Sequence, residues 1–173
     1  MPDLVTVTRT YLEMRHPGDL VPARAPEGSP AIVRVGFCPA SFFRFLYAEV
    51  GRAYRWTDRL AWSDSRIREH LDARGVTLFV MYVEGAPAGY FELRRHSGEG
   101  TEIAYFGLMP DYVGRGLGGW LLTQAVRAAW VGEDARVWLH TCTLDHPAAL
   151  PNYLKRGFRA VRQERYQVPP LTA

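Results

Sequence analysis

Apolar residues recur along this chain with two periods, one of two residues and one of three to four. The switches between them predict an ordered series of strands and helices. Leu4 to Met14 (LVTVTRTYLEM) alternates apolar and polar positions and is rich in Val and Thr, which predicts a half-buried strand. His16 to Pro30 holds four prolines and two glycines, so a long irregular connection is expected there, before a second strand from Ala31 to Phe37. Pro39 to Val50 places Phe42, Phe43, Leu46, Tyr47 and Val50 at helical spacings behind a proline. Ser63 or Asp64 is suited to cap a second helix running to about Ala73, with Ile67 and Leu71 one turn apart.

Val76 to Val83 is almost wholly apolar, as in a strand covered on both faces. Glu84 to Pro87 is a turn, Ala88 to Arg95 returns as a strand, and Ser97 to Gly100 leads into another from Glu102 to Met109. Short turns between consecutive strands predict an antiparallel meander. Pro110 and Asp111 break the last strand, and four glycines follow at 114, 116, 118 and 119. Leu117, Leu121, Ala125 and Ala128 then repeat at spacings of three and four, a helix to about Trp130. Arg136 to Cys142 reads as a strand, His146 to Arg156 as a helix and Phe158 to Val168 as a last strand.

A length of 173 residues with 47% hydrophobic residues suits one domain with a full core. Residues 1–38 would hold the N-terminal strands and their connection, 39–75 the early helices, and 76–168 the main sheet. The two cysteines, Cys38 and Cys142, lie far apart, so neither a zinc site nor a disulfide framework is expected. No apolar run is long enough for a membrane span and no leader is evident, which makes a cytoplasmic location the expectation. The net charge of +3 is spread along the chain without a basic patch, so nucleic acid is not an expected partner.

The glycine run carries the first chemical signal. Glycines allow sharp turns and close approach to backbone amides, and the amides at a helix N-terminus are unpaired donors reinforced by the helix dipole. With Arg115 between two of the glycines, the loop suits a phosphate or pyrophosphate. Gly114, Gly116 and Gly119 also fit G-x-G-x-x-G, a dinucleotide fingerprint, but that motif should follow its strand directly and precede a strand ending in a carboxylate. Here Pro110 to Val113 intervene, and 137–142 holds no acidic residue.

The run Val113-Gly114-Arg115-Gly116-Leu117-Gly118 and its preceding strand resemble motif A of the GNAT superfamily of acyl-CoA-dependent N-acyltransferases, with Val113 where Gln or Arg is usual. Asp145 to Phe158 (DHPAALPNYLKRGF) resembles that family's second signature, with His146 where Asn is common. The resemblance implies a mixed α/β (α+β) fold: a mostly antiparallel sheet of six to seven strands, splayed between two middle strands and flanked by about four helices. It implies acetyl-CoA as cosubstrate and no metal. The usual family member has one more C-terminal strand, so the extra N-terminal strand, or a partner subunit in a homodimer, is expected to fill that place.

The resemblance also suggests site residues. Gly114, Arg115, Gly116, Leu117, Gly118 and Gly119 would hold the diphosphate, and backbone groups at Leu108 and Met109 the pantetheine arm, with Gly107 assisting the splay and His146 contacting the pantetheine or capping its helix. Glu102 aligns with a family base, and burial would raise its pKa; His140 is a rival base and both have structural alternatives. Tyr153 falls on a signature tyrosine able to protonate a departing thiolate. Trp56, Trp62, Tyr105 and His140 would line the acceptor pocket, where aromatic faces could hold an amine by cation–π contact, or simply close the core. The acceptor would be a small-molecule or protein amine. The rival function is a silent acyl-CoA-binding sensor that lacks a base.

Overall fold

Three layers result from these patterns in the computed structural model, which describes residues 4–28, 30–131 and 136–170. The strands are β1 (Val5–Met14), β2 (Ala31–Arg34), β3 (Val76–Val83), β4 (Ala86–His96), β5 (Gly100–Leu108), β6 (Val137–Cys142) and β7 (Arg159–Val168). The helices are α1 (Ala40–Gly51), α2 (Asp64–Asp72), α3 (Leu117–Ala129) and α4 (Ala149–Lys155). One sheet takes all seven strands in the order β2-β3-β4-β5-β6-β1-β7.

Strand alternation sorts side chains to the two faces. On one face Phe91, Leu93 and Ile103 join Leu121, Leu122 and Val126 of α3 in the larger core. On the other, Val80 and Tyr90 pack against Leu46 and Val50 of α1, and α2 adds Ile67 against Phe43. Ser63 is the cap of α2, its hydroxyl accepting from the Arg66 amide at 3.2 Å. Two elements are shorter than expected. β2 ends at Arg34, leaving Phe37 exposed, and α4 begins at Ala149 rather than His146 because Asp145 turns back to accept from Thr141 and the Cys142 amide.

β3, β4 and β5 form the expected antiparallel meander, whereas β5 and β6 are parallel and pair only at Thr101 with Val137 and Glu102 with Trp138. Beyond those pairs the two strands separate. The parallel β5–α3–β6 unit shares its connectivity with a dinucleotide-binding unit, but it stands in a largely antiparallel sheet and opens where such a unit stays paired. β1 lies between β6 and β7, antiparallel to both, so the N-terminal strand occupies the place that the sequence left open. From there the chain must reach β2 at the far edge. It crosses the α3–α4 face on the way, pinned where the Val21 amide donates to the Arg156 carbonyl and the Ala23 amide to Thr123 Oγ1.

Candidate functional site

The separation of β5 from β6 opens a cleft of about 1630 Å³ whose walls come from both faces of the sheet. On the α3 face lies the glycine loop. Gly114 and Gly116 have φ of +80° and +75°, and a Cβ at either would meet no atom within 4 Å, so the protein leaves the space before them open. Gly116 precedes α3 in a left-handed conformation without any side-chain cap, and Leu117, Gly118 and Gly119 line the cleft with the first amides of the helix. Arg115 differs from its neighbours: its exposed guanidinium sits over the Tyr112 ring at 5.0 Å and is not part of the wall.

Backbone polarity along β5 separates the two residues expected at the pantetheine arm. The Met109 amide donates to the Ala88 carbonyl at 2.8 Å, and the Met109 side chain is buried in the α1-side core. Successive residues of a strand point their backbone groups to opposite edges, so Leu108 and Phe106 turn theirs away from β4 and into the opening. At Gly107 a Cβ would lie 2.4 Å from Val50 Cγ1, so the glycine lets α1 sit close.

At the same mouth, Tyr153 of α4 packs edge-on against Phe106 and Phe158. Burial, with the charge of Asp145 added, pushes its phenol well above the ordinary tyrosine value, and among the described residues its hydroxyl has no hydrogen-bond partner. His146 is exposed at the cleft rim, accepting from the Ala148 amide through Nδ1 at 3.1 Å, so it satisfies a free amide just before α4. Two residues with no expected role complete this end. Asn152 donates to the Gly118 carbonyl at 3.3 Å, and Arg156 is buried against the loop with an Nε that finds no acceptor among the described residues.

The opposite face holds the acid–base groups. Glu102 is 8% exposed and shares a 2.8 Å hydrogen bond with Nε2 of His96, which is half-buried at the end of β4. His140 projects from β6 beside Tyr11, at 5.6 Å between ring centroids. Its ring is exposed at the cleft, and partial desolvation by the surrounding protein, followed by the positive charge of Arg9, holds its pKa below the ordinary histidine value.

Beneath them Glu92 of β4 is fully buried, a carboxylate among Tyr90, Phe91 and Leu93. Arg59 grips it with two hydrogen bonds, 2.6 and 3.0 Å, and His70 Nε2 approaches to 3.0 Å. Burial favours the neutral acid, but the His70 and Arg59 contacts outweigh it and hold Glu92 below the usual carboxylate range. The Arg59 guanidinium also covers Tyr105 at 4.1 Å and Trp62 at 5.0 Å, and Arg66 covers Trp62 at 4.5 Å. Trp56, Trp62 and Tyr105 do line the cleft, but the faces of Trp62 and Tyr105 already carry the protein's own cations. Only Trp56 of the three has no guanidinium over it among the described residues; its neighbours are Tyr47, Tyr90 and Tyr105.

Comparison with known proteins agrees with this fold. The family model described as "Acetyltransferase (GNAT) family" matches residues 43–158. Mycothiol acetyltransferase of Nocardia farcinica is 36% identical over 80 residues, which is 46% of this chain and 25% of that protein. Among solved structures, a GCN5-related N-acetyltransferase from Kribbella flavida superposes with a TM-score of 0.66 at 20% identity, covering 98% of this chain and 60% of the other. A tandem GNAT protein from the clavulanic acid biosynthesis pathway gives 0.59 at 20% identity, covering 98% and 55%. At those identities the structures share the fold, and the chain spans a quarter of the curated relative and little over half of the structural ones.

Proposed function

We propose, from the premise that the chain belongs to the GNAT acetyltransferase family, that it transfers an acetyl group from acetyl-CoA to a primary amine by direct attack in a ternary complex. The observation that carries this reading is the single cleft that joins an open glycine cradle on one face of the sheet to a buried carboxylate on the other. The residues fit the donor. Open space before Gly114 and Gly116, free amides at the start of α3, and the unpaired Nε of Arg156 all suit a diphosphate, with the Leu108 backbone available to the pantetheine arm.

Acetyl-CoA supplies the activated thioester. The chain's task is then to present a neutral amine and to manage two protons. An alkylammonium of pKa about 10.4 is scarcely neutral at pH 7, so a proton acceptor at the nucleophile raises the reactive fraction. Glu102 takes that role, and His96, hydrogen-bonded behind it and one-third exposed, passes the proton outward. His140, kept neutral, is the alternative acceptor. Tyr153, whose raised pKa keeps it protonated and whose hydroxyl is uncommitted, donates to the departing thiolate. The Glu102–His96 pairing also suits the silent-sensor reading, in which that carboxylate is merely structural. Thiol release from acetyl-CoA across a panel of amines separates the two: release with some amine supports the transferase, whereas CoA binding with no amine-dependent release supports the sensor.

A further inference from the structure

The acceptor half of the cleft is lined by five arginines against two carboxylates, those of Asp58 and Glu102, and the arginines are not equivalent. Arg59 is held by Glu92, Arg9 donates to Glu164 at 2.9 Å, Arg55 donates to the Pro169 carbonyl, and Arg66 lies on Trp62. Arg94 is the exception. It is half-buried in the cleft wall, and its side chain has no hydrogen-bond, ion-pair or aromatic partner among the described residues. A guanidinium partly withdrawn from water without a partner has lost hydration that an anionic ligand would restore.

Its position gives this charge a use. Arg94 on β4 stands directly opposite Glu102 on β5. Directly paired residues share a face, with Cβ atoms about 5 Å apart. An acceptor amine within reach of Glu102 therefore brings any group close to that amine against Arg94. Meanwhile Arg59 and Arg66 already cover Tyr105 and Trp62, so a polycation gains little from those rings and is repelled by the guanidiniums.

We infer that the acceptor is a small amine bearing a carboxylate close to its amino group, of the amino-acid type, with Arg94 as the carboxylate-binding residue. This rests on the acetyl-transfer reading of the cleft and names its substrate class. Guanidinium and carboxylate match as a planar two-pronged pair, which glutamine in place of arginine does not reproduce.

The test uses the full chain loaded with CoA and titrated with N-acetyl amino acids and their matching carboxamides, which are product pairs differing only in the charge. For the intact protein the acids bind about tenfold or more tighter than the amides, the scale of a charge-assisted pair. In Arg94→Gln that preference disappears while CoA affinity is retained. Amides binding as well as acids, neither member binding, or an acid preference that survives in Arg94→Gln overturns the inference. Loss of CoA binding in the intact protein would instead remove the donor site, and the inference with it.

Discussion

Glu102 and Tyr105 look into the same side of the cleft although they are three apart on one strand. In an unbroken strand they would face opposite ways. The β4–β5 register explains it: Glu92 pairs with Tyr105 and Leu93 with Ile103, so Ala104 is left without a partner as a bulge. The extra residue resets the alternation, placing the carboxylate next to the ring that Arg59 covers. Deleting Ala104 makes the ladder regular and leaves Glu102 and Tyr105 two apart, so both side chains keep their face while the local kink of the bulge is lost. The expected outcome is a folded protein, by circular dichroism, that retains CoA binding and most of its amine-dependent thiol release, whereas loss of that release would contradict this account of the bulge.

Glu102→Gln keeps the shape and removes the proton acceptor. General-base catalysis is worth about 10²- to 10⁴-fold, so turnover at neutral pH should fall within that range, with KM for acetyl-CoA little changed. High pH, which deprotonates the amine directly, should narrow the deficit. A variant as active as the parent at every pH would shift the role to His140.

The Glu92–Arg59–His70 cluster anchors the loop between α1 and α2 to β4. Replacing Glu92 by Gln leaves Arg59 buried without its counter-charge, a change that typically costs about 3–5 kcal/mol. Because the folded protein holds Glu92 below its ordinary pKa, the charged form contributes stability above the ordinary carboxylate range, and this is lost as pH falls through the depressed value. Urea unfolding should therefore show a large gap between parent and variant at pH 7 that closes in acid. A gap independent of pH would contradict the assignment.

His140 should titrate below about 6.5 when followed by NMR. Burial is the larger cause and Arg9 the next, so Arg9→Gln should move the midpoint upward only part of the way. Activity that depends on neutral His140 would then fail at a higher pH in this variant than in the parent. An unchanged midpoint would mean that Arg9 is too well paired with Glu164 to act on the ring.

Much of this architecture was legible because it rests on local patterns. The meander follows from apolar strands punctuated by Glu84 to Pro87 and Ser97 to Gly100, and the open glycine loop from glycines placed before an amphipathic helix. What escaped the sequence depends on long-range placement. Arg59, His70 and His96 come from loops, helix or strand end without any periodic signal, and they acquire meaning only because β4 and β5 bring Glu92 and Glu102 to them. The one local clue was Glu92 itself, a lone carboxylate between aromatic and aliphatic neighbours. Arg156 and Asn152 escaped for a similar reason, since α4 must fold against α3 before either reaches the glycine loop. The rings of Trp62 and Tyr105 were legible, but the arginines that lie over them were not.

Thermal unfolding with and without CoA bears on the central claim most directly. A ligand at 100 times its dissociation constant adds about 2.7 kcal/mol, so saturating CoA should raise the melting temperature by several degrees, NAD should not, and Arg156→Gln should need more CoA for the same rise. Identical melting with and without CoA would contradict the proposal that the glycine cradle binds the acyl donor.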